Sequence, residues 1–306
     1  MSTLVSSPLR LSALVISAVL LQACGGGHDA GNTRAAVSAS PATSLPADAA
    51  APSGTPSATD TADNAPHRVL EGMVQSSAEG SASAGQDSTD VVPGFRFGRR
   101  EMEDIANPGK LSKRVFYTQP SQGPDARWFD AVKRGDMATV RQMVSEGQNL
   151  EARDEAELGQ TALGWAAFIG YEDMVDFLIA QGADLNATDR GDVYNVLKSA
   201  ALGKNARIVA KVHDLLRATT DLNDQTVEAD GETLLMVAAS NNRLDVARYL
   251  IGQGANVNLV ATTTDRSLGA YDQGPLSYAC DRNHPEMQQL LISHGAVNHR
   301  TGKPGC

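Results

Sequence analysis

Apolar residues recur along the second half of the chain with the spacing of short helices. The apolar positions from Met174 to Ile179 fall at i, i+1, i+3, i+4 and i+5, which makes one broad helix face. The same spacing returns from Val246 to Ile251. Each segment follows a stretch that ends in paired alanines, Trp165 to Ala167 and Val237 to Ala239. These stretches predict a shorter helix, and the paired alanines let a neighbouring helix approach closely. The pattern therefore predicts pairs of helices.

A short glycine-led block closes each predicted helix pair. The block from Gly182 to Asn186 returns from Gly254 to Asn258, and a decayed copy runs from Gly295 to Asn298. Glycine suits the end of a helix, because it takes the left-handed conformation without a Cβ clash. A recurrence in units of about 36 residues predicts a stacked-repeat protein.

These units resemble the ankyrin repeat, whose pattern is roughly G-x-T-P-L-H-x-A-A-x-x-G-x-x-x-V-V-x-x-L-L-x-x-G-A-D-V-N. Gly159 to Asn186 and Gly231 to Asn258 follow it closely, and Asp272 to Asn298 keeps its Pro-Leu, Leu-Leu and Gly-Ala pairs. Arg127 to Leu150 resembles an amino-terminal capping unit. Tyr194 to Leu216 resembles a distorted unit without the closing Gly-Ala.

The resemblance implies an all-α fold, an ankyrin-repeat solenoid of about five helix-turn-helix units over residues 125–300. Composition predicts that a disordered tether precedes it. Such units bury their apolar faces only against their neighbours, so the product is an elongated stack. In the family, the short helices and the loop tips form a concave surface. The resemblance therefore implies protein binding.

The amino terminus has the layout of a secretory signal peptide. Arg10 is the only charged residue before Asp29, and an apolar run extends from Leu11 to Leu21. The ending from Leu21 to Cys24 resembles the bacterial lipobox. That resemblance implies a lipoprotein signal peptide over residues 1–23 and a lipid, including palmitate, on Cys24.

Two alternatives to the lipoprotein remain open at this point. One is an uncleaved membrane anchor, although the apolar run is shorter than the about 20 residues that a bilayer requires. The other is a plain secretory signal cleaved after Ala23. Gly25 resembles the sorting signal of outer-membrane lipoproteins. We therefore expect a cell-envelope protein that is lipid-anchored in the outer membrane and faces the periplasm.

Residues 24–94 are dominated by Ala, Ser, Thr, Pro, Gly and Asp, and large apolar residues are sparse. Such a segment cannot bury enough apolar surface to offset its ordering entropy, so we predict a disordered tether. Residues 95–124 form a basic and aromatic arm. The arm either packs on the first repeat or makes a basic contact with anionic lipid or an acidic partner.

The formal net charge of −10 argues against nucleic-acid binding, since no basic stripe is present to neutralise phosphates. An acidic solenoid suits a basic protein partner, and we expect a monomer. Cys280 lies at an alanine-like helix position and is expected to be buried and inert. A bridge between Cys280 and Cys306 is possible in an oxidising compartment, but the spacing alone does not establish it.

The chain lacks the sequence signatures of catalysis or of a cofactor site. His284, His294 and His299 lie close together in sequence, but without the spacing of a known metal site. His284 also stands where ankyrin units often carry a histidine. We therefore expect no enzyme, no metal and no cofactor.

Residues on the concave face and on the loop tips are the candidates for partner binding. In the family, the residue before the paired small residues faces the groove, which places Trp165 and Tyr278 there as aromatic anchors. Trp165 could instead pack against a neighbouring loop. The full set of candidates is Trp165, Phe168, Ile169, Asp189, Arg190, Lys198, Asp265, Arg266, Tyr271 and Tyr278.

Taken together, the sequence predicts a lipid-anchored envelope protein that binds a partner protein through its concave face and loop tips. It would act as an immunity or inhibitor protein or as a scaffold that supports an envelope enzyme. The alternative is a structural envelope lipoprotein that contacts peptidoglycan or outer-membrane components through the arm.

Overall fold

The computed structural model describes residues 90–155 and 157–306. The predictions for the signal peptide, for Cys24 and for residues 24–89 of the tether fall outside these residues. Within them, the structure has eleven α-helices, one 3₁₀ turn and no strands. No helix in this part of the chain is long and apolar enough to cross a membrane.

The helices pair in chain order, as the repeat pattern predicted. The elements are α1 (Arg99–Ala106), a 3₁₀ turn (Ser112–Arg114), α2 (Ala126–Arg134), α3 (Met137–Ser145), α4 (Ala162–Ile169), α5 (Glu172–Ala180), α6 (Val196–Leu202), α7 (Ala206–Leu216), α8 (Leu234–Ser240), α9 (Leu244–Gly252), α10 (Pro275–Asp281) and α11 (Pro285–Ser293). From α2 onward they form five units of an inner and an outer helix. The predicted all-α solenoid is confirmed.

The inner helices α4 and α8 begin at a threonine that caps them. The hydroxyl oxygen of Thr161 accepts a hydrogen bond from the Gly164 amide at 3.2 Å, and Thr233 accepts one from the Met236 amide at 3.4 Å. Such caps satisfy amide groups that have no partner within the helix. The alanines that follow, among them Ala166 and Ala238, are fully buried, which lets neighbouring units approach closely.

The unit-closing glycines adopt the predicted left-handed conformation. Gly147, Gly182, Gly254 and Gly295 have φ values of 93°, 90°, 94° and 85°. Each lies directly after the turn that ends an outer helix. These four positions therefore share one backbone geometry, and the sequence block is its signature.

The third unit departs from the others where the sequence predicted a distortion. Its outer helix α7 has 11 residues, whereas α3, α5, α9 and α11 each have 9. The inner helix α6 ends at Gly203, where a Cβ would lie 2.3 Å from the Phe168 carbonyl oxygen. Glycine is required there because the end of α6 meets the backbone of α4 so closely. The unit remains part of the stack.

Residues 90–122, which we call the arm hairpin, run out along the stack of repeats and back. On the outward path, Arg96 Nη1 donates to Asp173 Oδ1 at 2.8 Å, and α1 buries Met102 and Ile105. At the far end, Asn107 Nδ2 donates to Asn241 Oδ1 at 3.3 Å in the fourth unit. One alternative placed the arm on the first repeat. The structure shows that the arm packs along the stack as far as the fourth unit.

The hairpin also begins earlier than the sequence indicated. The Asp90 carbonyl accepts a hydrogen bond from the Arg99 amide at 2.8 Å, and the Val92 carbonyl accepts one from the Phe95 amide at 3.1 Å. Residues 90–94, which composition assigned to the tether, thus form its first turn. Its last turn is fixed where the Ser121 amide donates to Asp130 Oδ1 at 2.7 Å.

The fifth unit is closed by a disulfide between Cys280 and Cys306. Cys280 is half-buried rather than inert in the core, and Cys306 is exposed. The pairing that the spacing left open is thus the one in the structure.

Candidate functional site

The groove positions that the sequence nominated for binding are buried. Trp165, Phe168 and Lys198 are 0%, 0% and 1% exposed, and Tyr278 is 3% exposed. The expectation of exposed aromatic anchors on the concave face is therefore wrong. Two contacts from the arm hairpin bury part of this surface, since Phe116 meets Phe168 and Lys110 lies over the Tyr278 ring. Trp165 and Lys198 are instead held by Asp154 and Glu228 of neighbouring loops.

Trp165 belongs to a buried polar network. Its Nε1 donates to Asp154 Oδ2 at 3.0 Å, and Lys133 Nζ pairs with the same oxygen at 2.7 Å. Lys133 Nζ also lies 4.9 Å from the centroid of the Trp165 ring. Both charged side chains are at most 3% exposed, so each depends on the other for compensation. Trp165 thus packs inside the molecule and bonds to the loop that carries Asp154. Packing against a neighbouring loop was the alternative to a groove position.

Phe168 and Ile169 do not extend an exposed apolar patch. The Phe168 ring meets Phe116 of the arm hairpin edge-on at 6.4 Å and Trp165 at 5.9 Å. Ile169 is 1% exposed. These contacts make the two residues part of the core that joins the hairpin to the second unit.

Asp189 and Asp192 hold the returning segment of the arm hairpin through Arg114. Arg114 Nη2 pairs with Asp189 Oδ2 and with Asp192 Oδ1, each at 2.7 Å, and Arg114 also donates to Gln160 Oε1. The side chains of Arg114 and Asp189 are 3% and 1% exposed. Asp189 is therefore a docking residue for the arm, and it is inaccessible to a partner.

Lys198 lies at the centre of an acidic cluster. Its Nζ pairs with Glu228 Oε2 and lies 3.8 Å from Asp192 Oδ2. Burial raises the pKa of Glu228 to about 7, although Lys198 acts in the opposite direction. We therefore expect the charge of the cluster to change near neutral pH.

Tyr278 is tied to the same region of the molecule. Its hydroxyl donates to Glu232 Oε1, and the hydroxyl oxygen lies 3.2 Å from the Gly269 carbonyl oxygen. Burial raises the pKa of Glu232 and that of Tyr278. Tyr278 therefore orders two loops instead of facing a groove.

Three neighbouring loop tips stay accessible along one side of the stack, and we call residues 188–194, 224–232 and 261–273 the finger edge. Lys198 links the first tip to the second, and the Thr263 amide donates to the Asp230 carbonyl at 3.0 Å, which links the second to the third. The finger edge is thus a continuous surface.

Four of the nominated residues lie on the accessible part of the finger edge. Arg190 pairs with Glu155, and both are more than half exposed. Asp265 and Arg266 are exposed, and Arg266 lies 5.5 Å from the centroid of the half-buried Tyr271 ring. The structure therefore separates the ten nominated residues into four that a partner can reach and six that support the fold.

One group of carboxylates has the spacing of a cation site. Oxygen atoms of Glu228, Asp230 and Glu232 lie within 4.8 Å of one another. Lys198 already neutralises Glu228, and Tyr278 already donates to Glu232. The arrangement therefore has internal partners for two of its three carboxylates.

Sequence reasoning did not identify Arg114 and Arg243 as organising residues. Arg243 is 3% exposed and donates to main-chain carbonyls of the arm hairpin. Nothing in a single charged residue signals burial, because most such side chains are solvated. The available signal was the aromatic content of the arm, since Phe97 and Phe116 require an apolar surface to cover them.

Comparison with known proteins agrees with the helix pairs. Residues 123–189 and 197–302, more than half of the chain, match the family model described as ankyrin repeats (3 copies). The E3 ubiquitin-protein ligase Ufd4 of Drosophila melanogaster is 31% identical over 61% of the chain and 6% of its own length. The B-cell lymphoma 3 protein homolog of Mus musculus is 26% identical over 58% of the chain and 38% of its own length.

Palmitoyltransferase AKR1 of Lachancea kluyveri is 26% identical over 64% of the chain and 25% of its own length. The chain thus spans less than two fifths of each of these three relatives.

Proposed function

The chain belongs to the ankyrin-repeat family, and from this premise we propose that it binds a partner protein through the finger edge while a lipid on Cys24 holds it in the cell envelope. Ankyrin repeats imply a protein partner, and ankyrin-repeat domains are generally non-enzymatic. Rigid-surface recognition therefore accounts for the function without covalent chemistry.

The observation that carries the choice of surface is the arm hairpin on the repeats. It buries Met102, Ile105 and Phe116 against the repeats and so occupies surface that a partner would otherwise contact. The finger edge keeps Arg190, Arg266 and Tyr271 at the surface. Loops that a rigid scaffold holds in place are where binding residues concentrate.

The test is in-cell crosslinking followed by capture of the full chain and mass spectrometry. Arg266→Ala combined with Tyr271→Ala should lose the crosslinked partner. Arg248→Ala, which removes an exposed arginine on the outer helix α9, is the matched control and should retain it. Equal capture by all three proteins would exclude the finger edge as the binding surface.

Two observations support the anchor and the envelope location. The run from Leu11 to Leu21 ends in the lipobox-like segment that closes at Cys24. The disulfide between Cys280 and Cys306 fits an oxidising compartment. We expect Cys24→Ser to release the protein from the membrane fraction and to remove incorporated palmitate. Unchanged membrane association would contradict the lipid anchor.

The same surface fits an immunity or inhibitor protein and a scaffold for an envelope enzyme. An inhibitor should lower the activity of the captured enzyme when purified protein is added, whereas a scaffold should maintain or raise it. The alternative, a structural lipoprotein that contacts peptidoglycan or outer-membrane components through the arm, has less support. Arg96 and Arg114 of the arm pair with acidic residues of this same chain.

A further inference from the structure

The disulfide belongs to a network that reaches the finger edge. Residues 294–306, which we call the C-terminal clasp, leave α11 and return to α10, where Cys306 bonds to Cys280. Within the clasp, the Asn298 amide donates to the Lys303 carbonyl at 2.9 Å. The clasp is therefore held by an internal hydrogen bond and by the disulfide.

The clasp holds the base of the third loop tip of the finger edge at Asp272. Arg300 Nε donates to Asp272 Oδ2 at 2.7 Å, and Arg300 Nη2 donates to the main-chain carbonyl of Asp272 at 2.6 Å. His299 Nε2 lies 2.8 Å from Asp272 Oδ1. Hydrogen bonds from His299 and then from Arg300 lower the pKa of Asp272, so the carboxylate stays charged.

Asp272 is well placed to transmit the state of the clasp to the loop. It has a φ of 54°, a left-handed conformation that a non-glycine residue adopts at a cost. It directly follows Tyr271, whose ring lies beside Arg266. Arg300 Nη1 also lies 3.4 Å from Asp281 Oδ2, next to Cys280. The contacts of one arginine therefore link the loop base to the disulfide-bearing helix.

We propose that the Cys280–Cys306 disulfide is a redox-sensitive fastener that keeps residues 268–273 of the finger edge in their binding conformation. Opening it frees residues 304–306 from α10 and weakens the hold of Arg300 and His299 on Asp272. The proposal deepens the proposed function, because it makes partner binding at the finger edge dependent on the redox state.

The exposure of Cys306 makes thiol–disulfide exchange chemically accessible. One thiolate of an external dithiol attacks the Sγ of Cys306, the bond to Cys280 breaks, and Cys280 leaves as a thiolate that takes up a proton. The second thiolate then attacks the mixed disulfide and releases Cys306. The dithiol supplies two electrons and two protons and ends as its own disulfide.

Hydrogen exchange of the full chain, followed by mass spectrometry before and after treatment with dithiothreitol, tests the fastener. We expect exchange about tenfold faster in residues 298–303 and 268–273 after reduction, because a crosslink restrains the segment that it closes and so stabilises its surroundings. Exchange in α4 and α5 should stay unchanged, and reoxidation should restore the original rates.

Two variants serve as controls. Cys306→Ser should exchange at the faster rates without reductant and should not respond to it. Asp272→Asn should speed exchange in residues 268–273 with the disulfide intact. Faster exchange in the clasp with no change in residues 268–273 would overturn the proposal, and so would a disulfide that dithiothreitol leaves intact in the folded protein.

A separate readout distinguishes this inference from the proposed function. Oxidised protein should capture the crosslinked partner several-fold better than reduced protein. If the oxidised protein captures no partner through the finger edge, the proposed function fails whatever the exchange rates. If it captures the partner equally well in both states, the redox dependence fails and the binding surface stands.

Discussion

Arg243 caps the arm helix at Ile105, a residue 138 positions earlier in the chain. Its Nη2 donates to the Ile105 carbonyl at 2.6 Å and its Nη1 to the Asp104 carbonyl at 2.9 Å. Its Nε donates to the Leu202 carbonyl at 2.8 Å. One guanidinium thus joins the arm hairpin, the third unit and the fourth unit.

Arg243→Ala should therefore loosen the hairpin as well as destabilise the fold. Three main-chain carbonyls lose a charged donor, and we expect a loss of roughly 2–4 kcal/mol in the free energy of unfolding. Urea unfolding measures the loss, and hydrogen exchange in α1 should accelerate. Arg248→Ala, on the exposed face of α9, which begins directly after Arg243, should change stability by less than about 0.5 kcal/mol. Equal losses in the two variants would contradict the capping role.

The helix pairs could be predicted from sequence because their signals are local. The blocks that begin at Gly182 and Gly254 specify where an outer helix ends, and the alanine pairs specify close packing. The arm hairpin could not be predicted, because its short helix has no closing block and its partner surface comes from distant units. The same applies to the site: Trp165 has the sequence position of a groove residue, but it is held by Lys133 of the preceding unit and by Asp154 of a loop.

Trp165 and Tyr271 should respond oppositely to mutation. Trp165→Phe removes the donor to Asp154 and leaves space in a fully buried position, which should cost roughly 1–3 kcal/mol of stability. Partner capture by the folded variant should stay unchanged. Tyr271→Ala should leave stability within about 1 kcal/mol and reduce capture. Chemical unfolding and quantitative crosslinking check both effects. Loss of capture by a fully folded Trp165→Phe protein would restore the concave face as the binding surface.

Glu228 predicts a pH dependence of stability. Burial raises its pKa from 4.5 to about 7 in the folded protein, so the folded state holds this proton more tightly than the unfolded state does. Its contribution to stability is complete below pH 4.5 and is lost as the pH rises through about 7.

Between pH 5 and pH 8, the free energy of unfolding of Glu228→Gln should fall by roughly 1–3 kcal/mol less than that of the wild type. Unfolding in urea across that range measures the slope. Glu286→Gln removes an exposed carboxylate on α11 and is the control for a simple change in net charge. Identical slopes in wild type and Glu228→Gln would show that Glu228 does not titrate in this range.

The adjacent residues Lys113 and Arg114 allow the most direct test of how the hairpin is held. Lys113 is exposed, whereas Arg114 is 3% exposed and bonds to Gln160, Asp189 and Asp192. Arg114→Ala leaves the buried carboxylate of Asp189 without its counter-charge, and breaking such a pair costs roughly 3–5 kcal/mol.

Because the lost charge lies in the hairpin, the returning segment of the hairpin should detach before the repeats unfold. Limited proteolysis should then cut near residues 110–120 in Arg114→Ala and not in Lys113→Ala, while α8 to α11 remain protected. If neither variant is cut there and both unfold like the wild type, the ion pairs of Arg114 do not hold the hairpin, and the burial of Phe116 and Met102 must suffice to hold it.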